Sequence, residues 1–286
     1  MDFIIQLAEH LGMCFGVRDA IALAEQKASE GNLTILGELV HNEVVRENLR
    51  QAGAHEGNLN QASAPTSDVL ITAHGASDRE KLRWSDQGHE VQDATCPLVR
   101  KAHTALASLV AEGAFPVVIG KVGHTEVEGL TGDFPNAEVV LSEKDIRALP
   151  KEMHYGVVSQ TTLPIDFVEG LIQSFKTHHP ESEMTFRDTV RQPTKNRQRA
   201  LHQLAHKVDF VIVVGGENSN NSRQLSEKAR ELGCRAERIS QASQINPDWL
   251  KEVNSVGITA GTSTLGTCVE KVVAALEQLG GRKGDA

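Results

Sequence analysis

The feature that most limits how this chain can fold is a pattern that occurs three times. In each case one residue stands where a short lead-in meets an amphipathic helix: Cys14, Cys96 and Arg191. After Cys14 the apolar residues Val17, Ile21, Ala24 and Ala28 recur at helical spacing, and after Cys96 so do Leu98, Ala102, Ala105, Leu106 and Leu109. After Arg191 the same face is carried by Leu201, Leu204, Ala205 and Val208, and Asp188-Thr189-Val190-Arg191 aligns with Asp93-Ala94-Thr95-Cys96. Pro97 suits a first helical position, where its missing N–H would be unpaired anyway.

Each opening is followed by an apolar strand that ends in a polar loop. Leu33-Thr34-Ile35-Leu36 runs to Val40-His41-Asn42, Pro116-Val117-Val118-Ile119 to Gly123-His124-Thr125-Glu126, and Phe210-Val211-Ile212-Val213-Val214 to Asn218-Ser219-Asn220-Asn221. His41, His124 and Ser219 thus fall 27, 28 and 28 residues after their opening residues. A second strand and loop follow: Val69 to Thr72 into Ala73-His74-Gly75, Tyr155 to Val158 into Ser159-Gln160-Thr161-Thr162, and Val256 to Thr259 into Ala260-Gly261-Thr262-Ser263. His74, Thr161 and Ser263 lie 60, 65 and 72 residues after the openings, so only loop lengths drift.

A repeat of this kind predicts an α/β chain of three similar modules with small, mostly parallel sheets: 14–95, 96–190 and 191–279, the last completed by an N-terminal strand over 3–7. Polar residues that follow buried parallel strands lie at the carboxyl edge, where open α/β sheets bind ligands. Three such edges converging on one centre would make a closed, polar, histidine-rich cavity. Ser77 with Glu80 reads as a capping box starting a helix at once after the His74 loop. The segment 56–67 reads as turn-like, and the glycine-rich tail 280–286 as frayed.

Hydrophobic content of 40% and charged content of 23% are those of an ordinary globular chain. Aromatic content of 4% argues against base-stacking platforms, and a net charge of −9 against nucleic acid or anionic membrane as partner. The longest apolar run, Phe210 to Val214, is far too short to span a membrane, and the start of the chain lacks the basic and apolar regions of a signal peptide. A reducing cytoplasm is the expected compartment, with Cys14, Cys96, Cys234 and Cys268 as thiols or metal ligands. No C-x-x-C spacing marks a zinc finger or thioredoxin site.

The chemistry must lie in the loops. A cysteine at a helix start is favoured as thiolate, so Cys14 and Cys96 are candidate metal ligands or nucleophiles; a buried structural cysteine is the plainer reading of either alone. His41, His74 and His124, with Ser219, Asn221 and Ser263, form a donor set suited to a phosphate or diphosphate. Zinc is the competing reading, and hydroxyls and amides are poor zinc ligands. Glu126 is a candidate proton donor, against the plainer role of a helix N-terminal carboxylate, and Thr161 a relay or hydroxyl-binding residue. Neither a G-x-G-x-x-G nor a G-x-x-x-x-G-K-[ST] nucleotide motif is present.

Seven segments, Gly12 to Val17, Val40 to Asn42, Ala73 to Gly75, Asp93 to Val99, Gly123 to Gly129, Gln160 to Thr162 and Asn218 to Ser222, together resemble the 4-hydroxy-3-methylbut-2-enyl diphosphate reductases. These are iron–sulfur enzymes of the last step of the methylerythritol phosphate route to isoprenoids. The resemblance covers almost the whole chain and implies a pseudo-three-fold α/β trefoil around a central cavity that holds a [4Fe–4S] cluster on three cysteines. It implies reductive dehydroxylation of the allylic alcohol diphosphate to isopentenyl and dimethylallyl diphosphates, with an electron donor such as ferredoxin or flavodoxin. On this likeness Cys14 and Cys96 match cluster ligands, and His41, His74, His124, Ser219, Asn221 and Ser263 match substrate contacts. Glu126 matches the proton donor and Thr161 the hydroxyl-ordering threonine.

The third cluster cysteine does not match. Where the family reads roughly Cys-Tyr-Ala-Thr-Thr-Asn-Arg-Gln, this chain reads Arg191-Gln192-Pro193-Thr194-Lys195-Asn196-Arg197-Gln198, and the internal repeat independently aligns Arg191 with the two cysteines. Thr262-Ser263-Thr264-Leu265 likewise departs from the family's Ala-Ser-Ala-Pro. The expectation is an altered or labile iron–sulfur centre on Cys14 and Cys96, with reduced family activity. Two alternatives follow from Arg191: a divergent paralogue with another substrate in a specialised pathway, or a non-catalytic phosphate-binding protein.

Overall fold

The computed structural model describes every residue except Met1, Asn32, His41, Asp285 and Ala286. The chain begins with β1 (Phe3–Leu7) and α1 (Phe15–Glu30). It continues through β2 (Leu33–Leu36), α2 (Glu43–Gln51), β3 (His55–Gly57), β4 (Asp68–Ile71), α3 (Asp78–Asp86) and β5 (Glu90–Asp93). Next come α4 (Pro97–Ala111), β6 (Phe115–Ile119), α5 (Thr125–Thr131), β7 (Glu138–Val140), α6 (Glu143–Ala148), β8 (His154–Ser159), α7 (Ile165–His178) and β9 (Glu183–Phe186). The last stretch holds α8 (Gln192–Ala205), β10 (Phe210–Val214), α9 (Asn220–Glu231), β11 (Arg235–Ile239), β12 (Ser255–Ala260), α10 (Gly266–Gln278) and β13 (Gly281–Lys283).

These strands form three parallel sheets, ordered β3-β2-β4-β5, β7-β6-β8-β9 and β11-β10-β12-β1-β13. The predicted α/β class with small parallel sheets is therefore what the chain adopts. Two compact units are distinguished. One comprises Met1–Val17, Val40–Val44 and Gln192–Ala286 and carries the sheet containing β1; the other comprises Arg18–Leu39 and Val45–Arg191 and carries the remaining two.

In the first unit, strand β10 shows why its apolar run is continuous. Phe210, Ile212 and Val214 point to a core layer shared with α10, whereas Val211 and Val213 point to one shared with α8 and α9. A parallel strand covered on both faces has no solvent side, so alternation disappears. β1 joins this sheet between β12 and β13. The tail does not fray at 280: Gly281–Lys283 pairs with Phe3–Ile5 as an edge strand. Backbone pairing with β1 supplies what its composition could not announce.

The second unit repeats the two-faced arrangement. In β6, Val117 and Ile119 face one layer with α7, and Val118 faces another with α4 and α5. Strand β3 (His55–Gly57), whose last two residues open the stretch read as turn-like, pairs with β2. Among the described residues no helix is long and apolar enough to cross a membrane.

Candidate functional site

The three opening residues share one backbone hydrogen bond. Cys14 N–H donates to Thr262 O at 3.0 Å, Cys96 N–H to Ala73 O at 3.1 Å, and Arg191 N–H to Thr161 O at 3.0 Å. Each acceptor stands two residues beyond its strand, β12, β4 or β8. Each donor immediately precedes a helix, α1, α4 or α8. The turn into the second and third openings is also shared: Thr95 N–H donates to Asp93 Oδ1 at 3.0 Å, and Val190 N–H to Asp188 Oδ1 at 3.1 Å. An Asx-type turn therefore delivers Cys96 and Arg191 alike to a carboxyl edge. All three side chains are buried.

Within the first unit, Asn221 and Ser263 belong to the segments tied to the loop that anchors Cys14, and Ser219 caps the helix that carries Asn221. Ser219 is the N-cap of α9, its Oγ accepting from Ser222 N–H at 3.3 Å and from the Ser222 hydroxyl at 3.0 Å. Asn221 Oδ1 accepts from Thr262 N–H at 3.1 Å, tying the start of α9 to the loop that anchors Cys14. Ser263 is buried in that loop, and the neighbouring Thr264 hydroxyl donates to Val214 O at 2.9 Å. Arg197, on α8, donates to Gly12 O and so holds the approach to Cys14. His41 lies outside the described residues.

Within the second unit, the centre is a buried acid–hydroxyl pair. Glu126 and Thr161 are 1% and 0% exposed. Thr161 N–H donates to Glu126 Oε1 at 2.5 Å, and the Thr161 hydroxyl to Oε2 at 3.1 Å. Both oxygens of one carboxylate are thus held by one residue of another strand's loop. His124 is the N-cap of α5, and its Nδ1 accepts from Glu126 N–H at 3.1 Å. That bond leaves Nε2 as the nitrogen that carries the proton. The His74 and His124 rings meet edge to face with centroids 5.6 Å apart. The structure therefore brings together His74, His124, Glu126 and Thr161.

Close packing makes that meeting possible. A Cβ on Gly129 would lie 3.3 Å from Ala76 Cα, and one on Gly132 only 2.7 Å from Ser77 Cβ. Two glycines on one side of α5 let it lie directly on the loop behind His74. Beyond α5 the Asp133 carboxylate accepts from Asp78 N–H at 2.8 Å and Arg79 N–H at 2.9 Å, capping α3. Ser77 caps the same helix by accepting from Glu80 N–H at 3.2 Å. The reciprocal half of the expected box is not made, because Glu80 pairs with Arg83 instead.

Electrostatics favour an ionised Asp93. Burial would raise its pKa, but hydrogen bonds from the Thr95 hydroxyl and N–H, with the Lys81 and Arg100 charges, outweigh this and hold it below the usual aspartate range. Two residues near the site were missed in the sequence. His103, two helical turns after Cys96, has its Nε2 buried with no hydrogen-bond partner among the described residues, and it would lie 3.4 Å from a Cβ on Gly75. Burial, aided by the Lys81 charge, pushes its pKa below the ordinary histidine value, against the pull of Glu126, Asp78 and Asp133. Its spacing from Cys96 was a usable signal. Arg197 was visible only as a charge on a helix.

The donor set does not fit a cluster held by three cysteines. Among the described residues no group of three or more His, Cys, Asp or Glu side chains could hold a metal ion. Arg191 cannot ligate iron. Cys234 precedes β11, at the amino edge of its sheet, where its thiol donates to Val208 O at 3.4 Å and burial pushes its pKa up. Cys268, in the first turn of α10, is partly buried against the core.

A buried carboxylate held by a loop residue beyond the carboxyl ends of a parallel sheet lies where α/β proteins bind small molecules. The chain belongs to the LytB protein family, which matches residues 5–277. It is 37% identical over 292 residues to the 4-hydroxy-3-methylbut-2-enyl diphosphate reductase of Enterobacter sp. (strain 638), covering 99% of this chain and 91% of that protein. The reductase of Escherichia coli O139:H28 is also 37% identical, over 287 residues, with 97% and 90% covered. Among solved structures, the E-1-hydroxy-2-methyl-but-2-enyl-4-diphosphate reductase from Plasmodium falciparum superposes with a TM-score of 0.90 at 26% identity, covering 100% of this chain and 93% of that one. A second reductase structure, described as the terminal enzyme of the non-mevalonate pathway, gives 0.69 at 32% identity, with 96% and 100% covered.

Proposed function

We propose that this chain is an oxidoreductase that removes the allylic hydroxyl of 4-hydroxy-3-methylbut-2-enyl diphosphate, giving isopentenyl and dimethylallyl diphosphates. The overall change consumes two electrons and two protons and releases water. The buried Glu126–Thr161 pair carries the reading. With the Thr161 hydroxyl on Glu126 Oε2, a proton held on that carboxyl has a short path through the threonine to a substrate oxygen. A merely structural helix-start carboxylate needs no such partner on a second loop.

His41, His74, His124, Ser219, Asn221 and Ser263 are the proposed diphosphate contacts. Neutral imidazoles, hydroxyls and an amide can donate hydrogen bonds to phosphate oxygens without the like-charge repulsion a carboxylate would bring. The name shared by the curated relatives supports this substrate. A one-electron carrier such as ferredoxin or flavodoxin is the proposed electron source, and the cytoplasm the proposed compartment. Anaerobic turnover of the allylic diphosphate with a reduced carrier, read by product chromatography, tests the proposal. Products are expected from the natural chain and should fall by about 10²–10⁴-fold in Glu126→Gln. Absence of both turnover and binding of this substrate would remove the reading.

A further inference from the structure

We infer that Arg191 turns the third opening position into an anion-binding position, taking a tetrahedral oxyanion where the module repeat elsewhere sets a thiol. The inference rests on the diphosphate reading above and deepens it. Its starting point is backbone equivalence: Arg191 occupies the same hydrogen-bonded, helix-opening position as Cys14 and Cys96. A thiolate there would carry charge −1, whereas a guanidinium carries +1 at every physiological pH.

That charge is buried and has no ion-pair partner among the described residues. Arg191 is only 9% exposed, and its Nε is buried without a hydrogen-bond partner among the described residues. It forms no ion pair with a described residue. Glu126, the buried carboxylate tied to the same loop, has both oxygens bonded to Thr161 instead. Burying an unpaired ion is strongly unfavourable, and arginine cannot shed its proton to escape the cost. An anion from outside the chain relieves it. The planar guanidinium fork matches two oxygens of a phosphate, so the chemistry selected is a phosphate or the terminal phosphate of a diphosphate. Because Arg191 N–H is bonded to Thr161 O at 3.0 Å, the backbone of the anion-binding residue is fixed to the residue that carries the Glu126 hydroxyl contact.

The experiment compares the full natural chain with Arg191→Gln, Arg191→Lys and Arg191→Cys. Calorimetry and thermal unfolding are run with inorganic pyrophosphate and, separately, with inorganic phosphate. Pyrophosphate affinity should fall at least about 10-fold in Arg191→Gln, with partial recovery in Arg191→Lys. The anion-induced rise in Tm seen for the natural chain should shrink in Arg191→Gln, a readout that any general loss of stability would not mimic. Tighter binding of pyrophosphate than of phosphate assigns the position to a diphosphate; equal binding assigns it to free phosphate.

After anaerobic reconstitution, Arg191→Cys should hold more iron and sulfide per chain than the natural protein. Unchanged anion affinity in Arg191→Gln overturns the inference, as does an iron and sulfide content of the natural chain equal to that of Arg191→Cys. If His124→Ala and Ser219→Ala weaken pyrophosphate binding while Arg191→Gln does not, this inference fails and the proposed function stands. If only Arg191→Gln weakens it, the anion position stands and the proposed diphosphate contacts fail.

Discussion

The Thr161 backbone does two jobs: its carbonyl accepts from Arg191 N–H at 3.0 Å, while its own N–H donates to Glu126 at 2.5 Å. The opening of α8 and the acid of α5 are therefore fixed to the same residue of the loop after β8. A change at any of the three positions should be felt at the other two. Lost hydrogen bonds between contacting residues are coupled, so double variants at Glu126 and Thr161 should be less than additive.

Replacing Thr161 by valine keeps the side-chain volume and removes the hydroxyl held by Glu126 Oε2. Turnover of the allylic diphosphate should fall with little change in substrate affinity, since a proton path and not a binding contact is lost. Equal turnover in Thr161→Val and the natural chain would exclude the threonine from proton delivery.

His124 caps α5 and is one of the proposed diphosphate contacts. His124→Ala should cost about 0.5–2 kcal/mol of stability and weaken pyrophosphate binding, whereas His124→Asn should retain most of the cap and still weaken binding. His41→Ala should weaken it too. Titration calorimetry beside urea midpoints separates the effects, and unchanged affinity in all three variants would sink the diphosphate assignment.

His103 gives the stability a pH dependence whose sign is set by its lowered pKa. Below the unfolded value of about 6.5 the unfolded chain binds a proton that the folded chain refuses, so unfolding takes up protons. Stability therefore rises with pH through the window between the folded pKa and about 6.5, and is lost as pH falls below it. The urea midpoint should drop between about pH 7.5 and pH 5.5 by more in the natural chain than in His103→Gln. Identical drops would show that His103 does not titrate in this way.

Gly132→Ala places a Cβ 2.7 Å from Ser77 Cβ and 2.8 Å from Ser77 Oγ, against the residue that caps α3. Overpacking of this kind costs about 1–3 kcal/mol. Gly129→Ala, with Ala76 Cα at 3.3 Å, should cost less. Denaturant midpoints check the order, and a reversed order would mean that α5 does not lie on the His74 loop as described.

The sequence alone determined the repeating elements, because the signals involved are local. Periodic apolar residues mark α1, α4 and α8, and unbroken apolar runs mark β6 and β10. The equivalence of Arg191 with Cys14 and Cys96 was legible in spacing and reappears as three matching backbone hydrogen bonds. Tertiary structure decided what joins residues far apart in the chain. Glu126 and Thr161 are 35 positions apart, and Arg197 and Gly12 185 apart. The tail strand β13 forms only because β1 offers it an edge. Asp133 caps a helix 54 and 55 positions earlier. Such partners leave no period in the sequence, since each bond depends on where two separately formed loops come to rest. The burial that leaves Arg191 charged without a counter-ion among the described residues belongs to the same class: residue type is written in the chain, but burial is a property of everything folded around it.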